Sequence, residues 1–155
     1  MRFLVLSLLT ILASCSNPPA EQPKAAPKPI PSHQPPKDLA SKFSSRGQTG
    51  IKLVPDHLLG KDFMPGGNLA DYKTENGTFR MFLLEAPDAQ KAAFMLLDWK
   101  AAMPDAKYLA HMGGYFGESQ GQPVYVFSKG PYLAGIVGLP QDKADIEARR
   151  FAERL

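Results

Sequence analysis

Cysteine is nearly missing: the chain of 155 residues has one, Cys15. A single thiol excludes an internal disulfide framework and a cysteine-rich zinc site. Histidine is also scarce. His33, His57 and His111 make no HxH or HxxxH pair, so no metal-ligand spacing is present. No apolar run reaches the ~18–20 residues of a conventional membrane-spanning helix. There is no Gly-x-Ser-x-Gly elbow, and the glycine-rich stretches at 113–117 and 130–138 match no phosphate-loop spacing. The apolar fraction, 44%, excludes a wholly disordered chain, and the length allows one domain.

The residues that are present divide into three segments. Residues 1–14 begin with Arg2 and continue with an apolar run, Phe3 to Ala13, broken by Ser7 and Thr10. As a helix these eleven residues rise about 16 Å, roughly half of the ~30 Å hydrocarbon core. That length fits the apolar region of a secretory signal. The run ends in Leu12-Ala13-Ser14-Cys15, which resembles the lipobox of bacterial lipoproteins. The small residues would admit the chain to the peptidase, and the Cys15 thiolate would accept the diacylglyceryl group. The resemblance implies cleavage before Cys15 and a covalent lipid anchor holding the protein to a membrane. Ser16, rather than Asp, follows the cysteine. In a Gram-negative cell that implies an outer-membrane lipoprotein facing the periplasm.

Residues 15–46 read as a tether. Eight prolines fall between Asn17 and Lys37, with almost no apolar side chain beyond alanine and Ile30. Such a segment cannot bury enough surface to offset chain entropy, and its prolines block helix and sheet alike. Its PxxP-like spacings arise by chance in any Pro-rich linker. Residues 38–46 read as a weak helical turn or as more of the linker. The net charge of +3 belongs to residues 1–37, because Asp38 to Leu155 holds fourteen basic and fourteen acidic residues. Three lysines of the tether could only supplement a lipid anchor, at about 1 kcal/mol each near an anionic surface.

Residues 47–155 read as the globular domain. Ile51 to Val54 is a short apolar run, and Asp56 to Leu59 one helical turn. Runs at 69–74 and 78–85 flank Asn76-Gly77, a hairpin signal. The second run is apolar on both faces and predicts an interior strand. Pro87 and Asp88 open a helix that reaches about Ala102. Its stripe of Ala89, Ala92, Ala93, Leu96, Trp99 and Met103 is widened by Phe94 and Leu97, which predicts deep cover. Residues 108–118 read as one strand around Gly113-Gly114, followed by strands at 123–128 and 132–138. A last helix carries Ala144, Ala148, Phe151, Ala152 and Leu155 on its apolar face, with Asp142 as N-cap. The expected order is β-β-α-β-β-β-α. The expected fold class is a two-layer α+β domain: an antiparallel sheet of about five strands, with two helices covering one face.

Asp71-Tyr72-Lys73, the run Thr78 to Glu85, the alanine-rich helix and the run Gln122 to Gly135 are similar to a family of uncharacterised bacterial exported proteins. The similarity spans about residues 50–150. It implies a fold and export, and no activity, because the family is a domain of unknown function.

No catalytic or metal-binding constellation is legible, and no cofactor is expected. Ser119 and Ser128 carry no sequence signal of activation. Tyr115, Tyr125 and Tyr132 could line one sheet surface as a contact face. Two readings follow. One is a membrane-anchored, non-enzymatic envelope module that binds a protein or another envelope component. The other is an enzyme or small-ligand carrier whose site is assembled by folding around His57, Asp71 or His111. Nucleic-acid binding is disfavoured by compartment and by charge.

Overall fold

The computed structural model describes residues 35–155, so Cys15, the lipobox and most of the tether lie outside the described residues. The chain from Ser32 to Leu155 forms one compact unit. Its element order is Gln48–Asp56 (β1), Pro65–Thr74 (β2), Gly77–Glu85 (β3), Ala89–Ala101 (α1), Lys107–Leu109 (β4), Gly114–Ser119 (β5), Gln122–Lys129 (β6), Tyr132–Val137 (β7) and Gln141–Ala152 (α2). The fold is α+β. All seven strands form one antiparallel sheet in the order β1-β2-β3-β7-β6-β5-β4.

Seven strands replace the expected five for two local reasons. β1 is an edge strand in which half-covered residues (Gln48, Gly50, Val54, Asp56) alternate with exposed ones; none is fully buried, and Ile51 and Leu53 stay exposed. The run at 108–118 is a hairpin rather than one strand. Gly113 turns it with φ +61, a conformation that disfavours a side chain, and β4 folds back on β5. The order is therefore β-β-β-α-β-β-β-β-α.

The expectation of two layers is also corrected. The two helices lie on opposite faces of the sheet. Ala144, Ala148 and Phe151 of α2 pack with Tyr72, Phe79, Met81, Leu83, Tyr125 and Ile136. Ala92, Leu96 and Trp99 of α1 pack with Leu69, Phe82, Leu84, Val126 and Leu133. Alternation along a strand sends successive side chains to opposite faces. A strand apolar on both, such as β3, therefore serves two cores. The expected deep cover of α1 is corrected as well: Phe94 and Leu97 are each 50% exposed.

The N-terminal boundary moves forward. Leu39 and Phe43, 4% and 5% exposed, belong to the α2-side core, although residues 38–46 were expected to end the tether. A short 3-10 turn, Ala40–Lys42, carries them. Asn68, buried in β2, accepts the Leu39 N–H at 2.7 Å and donates to Asp38 Oδ1 at 2.9 Å. That donor and the Ala40 N–H hold the Asp38 carboxyl below its ordinary value. Lys37 reaches Glu85 at 2.8 Å, and its ammonium is stabilised accordingly. Among the described residues, both cores are built from Leu39 onward.

Two capping details decide where the helices start. Asp88 accepts the Lys91 N–H at 2.8 Å and caps α1. Asp142 does not cap α2: Pro140 occupies that place, and Asp142 sits in the first turn.

Candidate functional site

Helix α2 lies across one face of the sheet, and each of its flanks borders a polar site. On the flank toward β2 and β3 there is a groove of about 560 Å³. Its floor is apolar: Tyr72 and Phe79 stack with ring centroids 5.2 Å apart, beside Met81 and Phe151. Cross-strand register sets this pair, since Tyr72 faces Phe79 across the hairpin. Its walls come from residues 44–47, from the β2–β3 turn and from the C-terminal half of α2.

The walls carry charge of both signs, with Arg46, Lys73, Arg150 and Arg154 set against Glu75, Glu147 and Glu153. Glu147 is held in place by Asn76 Nδ2 at 3.0 Å and Arg150 Nη1 at 3.1 Å. Arg154 donates to the carbonyls of Lys42 and Phe43, at 2.8 and 3.2 Å, so it spends its hydrogen bonds on neutral partners. Tyr72 Oη donates to the Ser44 carbonyl at 2.8 Å. Burial pushes its phenol up to about 12, which the Arg154 charge opposes and the Glu147 charge reinforces. The groove therefore combines a rigid aromatic floor with ionic and hydrogen-bonding walls.

On the other flank Asp145 gathers three donors. Tyr125 Oη donates to its Oδ1 at 2.7 Å, the His111 Nε2 lies on the same oxygen, and Arg149 Nε donates to Oδ2 at 2.8 Å. Burial opposes the charge on Asp145. The hydrogen bonds from Tyr125 and His111, with the charges of His111 and Arg149, outweigh it and hold the carboxyl below its ordinary value. Tyr125 is shifted the opposite way, upward, by burial and then by the hydrogen bond and charge of Asp145. A phenol so disfavoured from ionising is a poor nucleophile. The cluster ties α2 to the loop between β4 and β5. The Asp145 and Arg149 spacing of one helical turn was its only sequence signal.

A third polar contact was not legible at all. Lys61 Nζ lies 2.7 Å from Ser119 Oγ and 5.7 Å from the Trp99 ring centroid. A hydroxyl oxygen that accepts from an ammonium is not being activated, and Ser119 is buried. The contact joins the loop after β1 to the end of β5.

The residues expected to assemble do not. His57 sits at the end of β1, with Nδ1 2.9 Å from its neighbour Asp56. Asp71 is exposed in β2, while His111 belongs to the loop between β4 and β5. Four strand spacings separate β2 from β5, about 19 Å at ~4.8 Å each. No group of three or more His, Cys, Asp or Glu side chains suited to a metal occurs among the described residues. The tyrosine surface is corrected too. Tyr125 is fully buried in the α2-side core, against which Tyr132 is partly buried, whereas Tyr115 packs on the α1 side. Register explains this, because Tyr115 pairs with Val126, the neighbour of Tyr125.

No protein-family model matches the chain. No curated protein matches it either. Among solved structures it is similar to a GTP-binding regulator from Thermotoga maritima, with a TM-score of 0.52 at 17% identity, over 79% of this chain and 88% of that one. At that identity the likeness is one of fold.

Proposed function

We propose that this chain is an exported lipoprotein, anchored through Cys15, whose α+β domain is a binding module with the groove beside α2 as its ligand surface. Support for the anchor comes from the position of the only cysteine, at the end of an apolar run of eleven residues. The similarity of residues 50–150 to exported proteins points the same way and adds no activity. Ser16 favours an outer-membrane location. The observation that carries the binding reading is the groove itself, an aromatic floor enclosed by walls of both charges. A polar peptide segment of another envelope component suits it best, because such a segment offers carbonyls, amides and charges of both signs.

Both parts are testable. Cys15→Ala should abolish labelling by radioactive palmitate and shift the protein from the membrane to the soluble fraction; equal labelling of the variant sinks the anchor. For the groove, residues 32–155 are titrated by NMR with a panel of short peptides carrying both charges. Shifts should gather at Arg46, Tyr72, Asn76 and Arg150, and Arg150→Glu should weaken them. Perturbations centred elsewhere would remove the groove from the reading.

A further inference from the structure

The outward face of α1 has no partner among the described residues. Its buried stripe is Ala92, Leu96 and Trp99. At 3.6 residues per turn the opposite crest is formed by Gln90, Phe94, Leu97 and Ala101. All four are exposed, and three are apolar. A crest with Phe94 and Leu97 half in water is costly to leave bare, at about 25 cal/mol per Å² of apolar surface.

Charges beside the crest identify the occupant. Lys91 and Asp98 lie two helical turns apart on the same flank. Lys91 Nζ stands 6.0 Å from the Phe94 ring centroid. Asp98 makes no ion pair among the described residues, and neither does Lys91. From these positions we infer that the crest is a two-fold interface between two copies of this chain, with the α1 helices antiparallel. A two-fold axis near Phe94 sets Lys91 of each copy level with Asp98 of the other, forming two equivalent ion pairs. The same crossing drops each Leu97 between Gln90 and Phe94 of the opposing helix, and Ala101 allows close approach. An isologous interface of this kind is self-complementary by construction. An anionic lipid surface fits less well, because it would repel Asp98 beside the crest. The interface is independent of the groove, which lies on the other side of the sheet.

One helix pair is a small interface, so association is expected on the order of 10–100 µM. Sedimentation velocity on residues 32–155 across a concentration series reads it directly. Leu97→Glu should leave the circular dichroism spectrum intact and weaken the dimer by more than about tenfold. Lys91→Asp and Asp98→Lys should each weaken it by about five- to tenfold. The two together should restore it, because the swap re-forms both pairs with reversed sign. It also suits the helix ends electrostatically, so unfolding cannot mimic the loss. A chain that stays monomeric at all concentrations overturns the inference. So does a dimer indifferent to Leu97→Glu, or a double swap that rescues nothing. Binding to anionic vesicles by a monomeric chain, lost in Leu97→Glu, would assign the crest to lipid instead.

Discussion

Asn68 gives the sharpest test of where this domain begins. Its side chain is the bolt between β2 and the segment at 38–46, accepting the Leu39 N–H and donating to Asp38. Asn68→Ala leaves the Leu39 N–H without a partner. An orphaned buried donor costs about 1–3 kcal/mol. The segment it holds brings in Leu39 and Phe43, each worth about 1.5–3 kcal/mol when fully buried. Phe43 also packs on Phe151 of α2, with ring centroids 5.1 Å apart. Deleting residues 32–46 should therefore cost more than the point change, roughly 3–6 kcal/mol against a typical total of about 5–15. Urea denaturation of residues 32–155 is the assay. With a slope of about 1–3 kcal/mol per molar, Asn68→Ala should move the midpoint by about 1 M. Hydrogen exchange should show the Leu39 amide losing protection in the variant before the β3 amides do. If the deletion leaves the midpoint unchanged, residues 38–46 are linker after all and the reasoning fails.

Two other predictions follow from the interior. A Cβ added at Gly135 would meet Phe82 Cε1 at 2.4 Å and the Tyr125 carbonyl at 2.6 Å, and Phe82 is itself stacked on Trp99. Gly135→Ala should cost about 1–3 kcal/mol through this overpacking, read as a lower Tm; an unchanged Tm would show that the Phe82–Trp99 stack yields freely. Tyr72 is pushed up to about 12 and Tyr125 higher still, so both phenols stay protonated in the fold beyond the ~10 of an unfolded tyrosine. Their contribution to stability is complete below pH ~10 and is lost as pH rises through the folded-state values. Absorbance at 295 nm should show Tyr72 and Tyr125 ionising only as the protein unfolds; their ionisation within the intact fold near pH ~10 would contradict the packing.

Much of the local structure was legible because it rests on neighbours in sequence. The hairpin at Glu75-Asn76-Gly77 was expected from Asn-Gly, and it forms, although only Gly77 takes a positive φ while Asn76 donates to Thr74 Oγ1. Helix α1 begins at its acidic cap and ends before Pro104. The site was less legible. The groove joins residues 44–47, the β2–β3 turn and α2, some of whose positions lie more than a hundred residues apart in sequence. Nothing in Glu147 or Asn76 taken alone announces their contact.

The sequence by itself determined the α+β class, the antiparallel hairpins and the apolar stripes of both helices. Turn chemistry and hydrophobic period act over a few residues and suffice for these. Only the tertiary structure decided that α1 and α2 cover opposite faces. Both stripes are apolar and neither names a face, and the side each helix takes depends on the crossing from β3 to the far edge and the return of β7 to the centre. The same folding pulled residues 38–46 into the core, through the buried Asn68 and the place left for Phe43 beside Phe151. It also left the Phe94 and Leu97 crest of α1 in solvent, because the sheet can bury only one side of a helix.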